Sequence, residues 1–248
     1  MIKFFRKIRQ NLLMENKTSK YFKYAIGEII LVVIGILIAL QINTWNQQKN
    51  NQEILKQFTV EFKEELRLNI RDFKFDLELI KNQKKLKNNL LKNKRLDTIP
   101  LDSLEKYVET FYINVAYSPV LLNRFENTQI SNYGKYDSIF LDLQEFYGYH
   151  WPQFRKELNE HNKAVDKEDQ FWRYQQNKYE LNFSSDNDTF IKDSIQRKKE
   201  LIKLIKSPIV RNILKTDLRR KKLFKIRIER KILLGEKIQK QIDEALKD

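Results

Sequence analysis

The sequence predicts an all-α protein in which one N-terminal transmembrane helix continues into a long helix and packs with later helices as an elongated bundle. Residues 24–45 carry a long apolar run, and apolar residues beyond it recur at spacings of three and four. Only one short stretch, 224–228, alternates like a strand, and it has no second strand to pair with. The chain has 248 residues, so the part beyond residue 45 is long enough to bury a core of its own.

The apolar run from Ile29 to Leu40 has no polar residue, so a helix built from it has no polar face. The wider segment Tyr24–Trp45 counts 22 residues, and a helix of that length crosses the roughly 30 Å hydrocarbon core of a bilayer. Aromatic residues at its two ends suit the membrane interfaces. We therefore predict one membrane-spanning helix over 24–45, with a buried core helix as the alternative.

Five residues define the predicted anchor: Tyr24, Glu28, Gly35, Ala39 and Trp45. Glu28 has two interpretations, a contact to a partner helix or an ion path, and a carboxylate that reaches headgroup water near Lys23. Gly35 and Ala39 place two small residues on one helix face, which permits close helix packing.

Basic residues predict the orientation of this helix. Residues 1–23 contain seven Lys and Arg and one acid, whereas residues 46–65 contain three Lys. The excess favours a cytoplasmic N-terminus. We expect a basic amphipathic cytoplasmic head over 1–23 and a periplasmic domain over 46–248, held in the inner membrane. No small-x-small cleavage site follows the apolar run, so the segment is expected to stay as an uncleaved anchor.

Residues 1–46 carry a resemblance. The runs Met1–Gln10, Tyr24–Ile29 and Leu31–Asn43, closed by Trp45, resemble the N-terminal signature of a bacterial family of small single-pass membrane proteins that is known only as a domain of unknown function. Beyond residue 46 the likeness rests on helical segments of similar length and order. The resemblance implies a Gram-negative envelope protein with an α-helical outer domain, and it implies no activity, substrate or catalytic residue.

Apolar spacing and breakers predict the helices that follow the span. One long helix is expected from about residue 22 to 92, ending before Pro100. Asp102 and Glu105 form a predicted capping box, and the pair Ser118-Pro119 is a second helix start. Residues 132–134 predict a turn.

The second half of the chain is expected to add three helices. A helix that ends near Gly148 is followed by a new one that opens at His150-Trp-Pro152 and runs to about Tyr179. The polar stretch 182–189 predicts a loop, and a helix then ends near Ile205. Ser207-Pro208 opens the last helix, expected over 208–247.

The net charge of +15 lies mainly at the two ends of the chain. Residues 196–248 hold 18 basic and 7 acidic residues, whereas 46–195 hold 23 and 24. The densest basic residues form a candidate surface for an anionic partner: Arg219, Arg220, Lys221, Lys222, Lys225, Arg227, Arg230 and Lys231. Lipid headgroups, lipopolysaccharide or an acidic protein would suit it, and the predicted topology excludes nucleic acid. The alternative is a solvated face of a Lys-rich helix.

The sequence predicts no catalytic residue, no metal site and no cofactor. It has no Cys and two His, and Glu157, Glu160 and His161 lack the Glu-x-x-His spacing of a di-iron site. Its five Gly are isolated, so no phosphate-binding loop or nucleophile elbow is present. We therefore expect a protein that is not an enzyme.

Two functions remain open. The first is an uncharacterised single-pass inner-membrane protein that acts as an envelope scaffold or accessory protein, with membrane lipid and a protein partner or a second copy as its contacts. The alternative is a ligand-sensing helical ectodomain that passes a signal through a partner membrane protein. A pocket among Trp151, Phe171 and Trp172 would favour the alternative.

Overall fold

The computed structural model describes Met14 and residues 18–114, 120–182 and 189–247. These residues contain no β-strand, so the predicted all-α class is confirmed for them. The helices are α1 (Thr18–Lys92), α2 (Leu101–Val108), α3 (Val120–Glu126), α4 (Asp137–Gln144), α5 (Trp151–Gln170), α6 (Ser194–Ile205) and α7 (Pro208–Ala245). Short 3₁₀ turns occupy Leu96–Thr98 and Gly134–Tyr136.

The chain divides into two compact units, Met1–Lys56 and Gln57–Asp248. Within the first unit, the described residues form the beginning of α1, and their large apolar side chains between Ile29 and Leu40 are 46–63% exposed. Trp45, also exposed, has the Lys49 ammonium 5.9 Å from its ring centroid. The expected end of the long helix near residue 92 is confirmed.

The second unit has an aromatic core that joins the remainder of α1 to the later helices. Phe73 of α1 stacks on Trp151 of α5 with ring centroids 5.1 Å apart, and Phe125 of α3 stacks on Phe140 of α4 at 4.3 Å. Stacked and edge-on aromatic pairs add about 0.5–1.5 kcal/mol each beyond the apolar area they bury. The 12% aromatic content of the sequence is therefore concentrated where the helices of this unit meet.

A separate apolar cluster packs the residues that follow α1 against α6 and the start of α7. It contains Leu90, Leu96, Leu104, Val108, Phe171, Trp172, Tyr179, Leu201, Leu204, Ile205, Val210 and Leu214. Trp151 is not among these residues, since it packs on Phe73 and Phe154. Trp151 and the pair Phe171 and Trp172 therefore lie in different parts of the core, and all three side chains are buried.

The predicted end of a helix at Gly148 is wrong. A π-helical segment, Glu145–His150, joins α4 directly to α5, and the residues at both junctions keep right-handed helical angles. Pro152 lacks an N–H, and its ring would clash with the carbonyl four residues earlier in a regular helix. The wider π turn accommodates the proline without ending the helix.

The predicted capping box is wrong, and the residues before α6 and α7 differ in their capping contacts. Pro100 stands at the N-cap of α2 with no side-chain cap, so Asp102 lies inside the helix and the capping box is wrong. Ser207 precedes α7 as expected, but its hydroxyl donates to the Leu204 carbonyl at 2.6 Å instead of capping α7. Asp193 is the residue that caps α6, accepting from the Ile195 N–H at 2.8 Å. The pair Ser118-Pro119, the head up to Leu13 and most of the 182–189 loop lie outside the described residues.

The helix α7 packs closely on α1 at Gly235. A Cβ atom at this position would lie 3.0 Å from Cγ1 and 3.1 Å from Cδ1 of Ile70. Glycine in a helix interior costs roughly 1 kcal/mol relative to alanine, so its presence here follows from the packing. This contact brings the basic last helix onto the α1 surface of the second unit.

Candidate functional site

The predicted anchor residues lie on an exposed part of α1. Tyr24 is 54% and Trp45 62% exposed, and Glu28 is half-buried. A Cβ at Gly35 would have no neighbouring atom within 4 Å. Among the described residues, this is the one helix that is long and apolar enough to cross a membrane, and none of its apolar window is buried.

The eight basic residues predicted on the last helix do not form one surface. Arg219, Lys222, Arg227 and Arg230 are exposed. Lys225 is half-buried beside Glu229, with 3.0 Å between its Nζ and the carboxylate. Arg220, Lys221 and Lys231 point into the second unit, and Lys221 is 0% exposed. The predicted surface is therefore reduced to its exposed residues, because a helix that packs on two other helices buries part of its circumference.

Lys221 belongs to a buried ion network. Its Nζ lies 2.6 Å from both carboxylate oxygens of Asp217, which is 1% exposed. Lys87 of α1, 2% exposed, reaches the same carboxylate at 2.8 Å. Arg220 Nη2 lies 2.5 Å from Glu168 Oε1 of α5 and 3.3 Å from Asp217 Oδ1. The network therefore joins α1, α5 and α7.

The network changes the acidity of its members. Burial raises the pKa of Asp217, but the Lys87 and Lys221 ammonium groups outweigh burial and lower that pKa to about 2. Burial, aided by Lys87, lowers the pKa of Lys221 to about 8, against the opposing effect of Asp217. Burial also raises the pKa of Glu168, and Arg220 opposes it. At neutral pH Asp217 and Lys221 are both charged and paired.

His161 of α5 lies next to this network and is 2% exposed. Its ring meets Phe224 edge-on, with centroids 4.9 Å apart. Burial is the main reason that its pKa falls to about 4, and the Lys221 and Arg220 charges lower it further, although Asp217 and the Phe111 backbone oppose them. The imidazole is therefore neutral at pH 7. Neither ring nitrogen makes a hydrogen bond of normal geometry within the described residues.

An open groove runs between α5 and α7 above the network. One part of it has a volume of about 460 Å³ and is lined by Gln153, Lys156, Glu157, Glu160, His161, Arg220, Leu223, Phe224 and Arg227. The adjoining part, about 390 Å³, extends from Glu157 to His150 and Lys231. Glu157 pairs with Arg227 across the groove. Grooves of this volume are typical of small-molecule sites.

Lys231 is buried and lines the adjoining part of the groove. Its Nζ lies 5.0 Å from the ring centroid of Phe154 and donates to the His150 carbonyl at 3.0 Å. Burial, and secondarily Arg227, lowers its pKa to about 8. An ammonium surrounded by aromatic faces and one carbonyl is a structural cation–π contact.

A second buried ion pair lies at α2 and α6. Arg197 Nη2 is 2.6 Å from Glu105 Oε1, and the Tyr179 hydroxyl donates to the same carboxylate. Burial and Glu105 raise the pKa of this tyrosine. These groups pair with one another across α2 and α6, which accounts for their burial.

Sequence reasoning found His161 and the basic residues of α7 but not their grouping. The residues that it missed are Lys87, Glu168 and Asp217, which are 130 positions apart at the extremes. Asp217 is one of few acids in the basic C-terminal region, and its i, i+4 spacing to Lys221 was a usable signal. Among the described residues, no three His, Asp or Glu side chains are grouped closely enough to hold a metal ion.

Comparison with known proteins gives one likeness. No curated protein and no solved structure matched the chain. Residues 28–141 match the model of a family described as a family of unknown function, DUF6090. The likeness to a family without an assigned function was expected; its bacterial source and membrane association stay predictions. The matched region begins at Glu28 in α1 and ends at Leu141 in α4, so the chain is similar to this family over the apolar run of α1 and the elements that follow as far as α4.

Proposed function

We propose that this chain is a single-pass membrane protein of the bacterial inner membrane, a non-enzymatic scaffold or accessory protein whose helical domain holds an acidic protein partner in the periplasm. The observation that carries the proposal is the exposure of α1 between Ile29 and Leu40, where each large apolar side chain is 46–63% exposed. Leaving such a side chain in water instead of burying it costs about 1.5–3 kcal/mol. A lipid environment removes that cost for the whole run.

The exposure argues against the alternative of a soluble core helix. Such a helix is mostly buried by its own protein, whereas none of the apolar window of α1 is buried. A signal sequence would share the exposure, but no small-x-small site follows Leu40. The seven basic residues before the span, against three in the twenty positions after it, favour a cytoplasmic N-terminus.

The proposed partner surface is the exposed stripe of α7. We define this stripe as Arg219, Lys222, Leu223, Ile226, Arg230 and Leu233, which follow one another at spacings of three and four, apart from the adjacent pair 222–223. All six are exposed, and Leu233 is 67% exposed. The three cations have no ion pair within the described residues. An acidic surface with apolar side chains would complement both features.

Topology tests the anchor directly. The chain has no Cys, so single cysteines at Val33, Tyr112 and Lys240 can be probed with a membrane-impermeant maleimide in intact spheroplasts and in lysates. We expect labelling of positions 112 and 240 in spheroplasts and no labelling of position 33 until detergent is added. Labelling of 112 and 240 only after lysis would overturn the orientation, and release of the chain by alkaline carbonate would overturn the anchor.

Photo-crosslinking tests the partner. A benzoylphenylalanine at Ile226 is expected to give one adduct of defined mass that is lost in the triple variant Arg219→Glu/Lys222→Glu/Arg230→Glu. The matched control Lys85→Glu/Lys92→Glu/Lys94→Glu changes the same charge on exposed residues of the α1 end and should keep the adduct. An adduct with lipid alone, or equal loss in both triple variants, contradicts an acidic protein partner.

The second candidate function, a ligand-sensing domain, is supported by a different observation. The groove between α5 and α7 places the buried His161 and Arg220 beside the apolar side chains of Leu223 and Phe224. That combination of a few polar groups in an apolar wall is the usual composition of a ligand site.

A further inference from the structure

Three side chains of the groove between α5 and α7, those of His161, Arg220 and Glu157, have buried polar atoms without a hydrogen bond of normal geometry within the described residues. His161 is 2% exposed, and its ring is in contact with the Phe111 backbone, outside normal hydrogen-bond geometry. The Nε of Arg220 lines the same wall and is likewise buried without an acceptor there, although Nη2 of this guanidinium binds Glu168 and Asp217. Buried polar groups without partners are unfavourable. A ligand that supplies acceptor oxygens would pair with the Arg220 Nε–H and with the single N–H of neutral His161.

The charged side chains around the groove between α5 and α7 indicate which class of ligand it can bind. The network beneath it contains three cations, Lys87, Arg220 and Lys221, and two carboxylates, Asp217 and Glu168. At the rim, Lys156 and Arg227 are balanced by Glu157 and Glu160. The groove therefore has a net positive charge, and Arg230 and Lys231 of the adjoining part add to it. This charge favours an anionic ligand and disfavours a metal cation.

The remaining wall is apolar. Leu223 is 53% exposed at the groove, and Phe224 forms its floor next to the His161 ring. We propose that the groove binds an organic monocarboxylate. Its carboxylate accepts hydrogen bonds from Arg220 Nε–H and from the N–H of neutral His161, and its apolar part packs on Leu223 and Phe224. This binding does not depend on the membrane anchor, and it shares Leu223 with the exposed stripe of α7.

A matched pair of probes tests the charge requirement. The full chain, purified and held in phosphatidylcholine nanodiscs, is titrated with 4-phenylbutyrate and with the neutral 4-phenylbutyramide, using empty nanodiscs as the blank. We expect the acid to bind with a Kd below about 1 mM and at least tenfold more tightly than the amide. Equal affinity for the two probes, or no binding of the acid above the blank, overturns the proposal.

The two histidines of the chain locate the probe by NMR. In a ¹H–¹³C correlation spectrum, the Hε1–Cε1 signal of His161 should move with the acid, and the His150 signal should stay in place. His150 lines the adjoining part of the groove. Movement of the His150 signal alone would place the probe elsewhere and contradict the assigned site.

Two leucine-to-glutamate substitutions on α7 and one substitution of His161 complete the test. Leu223→Glu puts a negative charge into the groove and should weaken binding of the acid at least tenfold. Leu233→Glu makes the same chemical change on an exposed side chain of the same helix that does not line the groove, and it should change affinity less than twofold. His161→Leu, checked for an unchanged circular dichroism spectrum, should weaken binding at least fivefold. Equal effects of the two glutamates, or full affinity of His161→Leu, reject the site.

Discussion

The apolar beginning of α1 and the basic helix α7 show opposite relations between residue type and burial. Between Ile29 and Leu40, Leu, Ile and Val side chains are about half exposed, whereas α7 buries Lys221 at 0% and Asp217 at 1% exposure. The described part of the protein buries none of the apolar window, whereas the charged residues of α7 lie under two other helices and have partners within 3 Å. Whether a side chain of this protein is buried therefore depends on the helices packed around it. An exposed apolar run is favourable only in a medium less polar than water.

The largest effect is expected from charges placed in the exposed apolar run. Val33→Arg together with Leu37→Arg should remove the chain from the membrane fraction, because each arginine at a span centre adds about 3 kcal/mol to the free energy of insertion. The fraction that resists alkaline carbonate extraction measures it. Phe75→Arg, on an exposed residue of the same helix, should leave that fraction unchanged. Retention of the double variant would mean that the apolar run is covered by protein.

A smaller effect is expected from breaking the buried network. Asp217→Asn removes the carboxylate between Lys87 and Lys221, and the free energy of unfolding should fall by about 3–5 kcal/mol because two buried ammonium groups lose their counter-charge. Urea unfolding of the full chain in detergent, followed by circular dichroism, measures the loss. The control Glu229→Gln breaks the partly exposed pair with Lys225 and should cost less than about 1 kcal/mol. Similar values for the two variants would show that the network is hydrated.

Acid pH should expose the contribution of His161. The pKa of His161 is about 4 in the folded chain and 6.5 in the unfolded chain. Between these pH values, the unfolded chain binds a proton at His161 and the folded chain does not. The contribution of the neutral imidazole to the free energy of unfolding should be fully present above pH 6.5 and fall by about 3 kcal/mol as the pH drops to 4. His161→Leu should lose this part of the slope. Parallel pH profiles for the two proteins would contradict a neutral buried imidazole.

The smallest effect is expected one residue beyond the buried lysine. Lys222→Ala, on the exposed stripe of α7, should change the free energy of unfolding by less than about 0.5 kcal/mol, since a surface lysine without an ion pair contributes little. The same urea titration measures it. A loss above 1 kcal/mol would indicate that this face is packed, and the contrast with the adjacent Lys221 would disappear.

Helix positions were predictable wherever local chemistry decides them. The end of α1 at Lys92 and the start of α7 at Pro208 follow from breakers and apolar spacing. The π-helical join at Glu145–His150 was not predictable, because glycine and proline signals usually mark breaks and only packing of Phe146 and Tyr147 into the core keeps the helix continuous. The wrong capping box has a similar cause, since Glu105 is drawn to Arg197 and Tyr179.

The sequence by itself determined the helical class, the position of the one apolar run and the basic character of the last helix, because these depend on composition and on spacing along the chain. Only the tertiary structure decides which charged side chains of that helix are exposed and which are buried. Lys87 lies 130 residues from Asp217 in the sequence and 2.8 Å from it in space. Such a contact depends on how three helices pack, and the energies of burial and pairing are set by that packing rather than by neighbours in sequence.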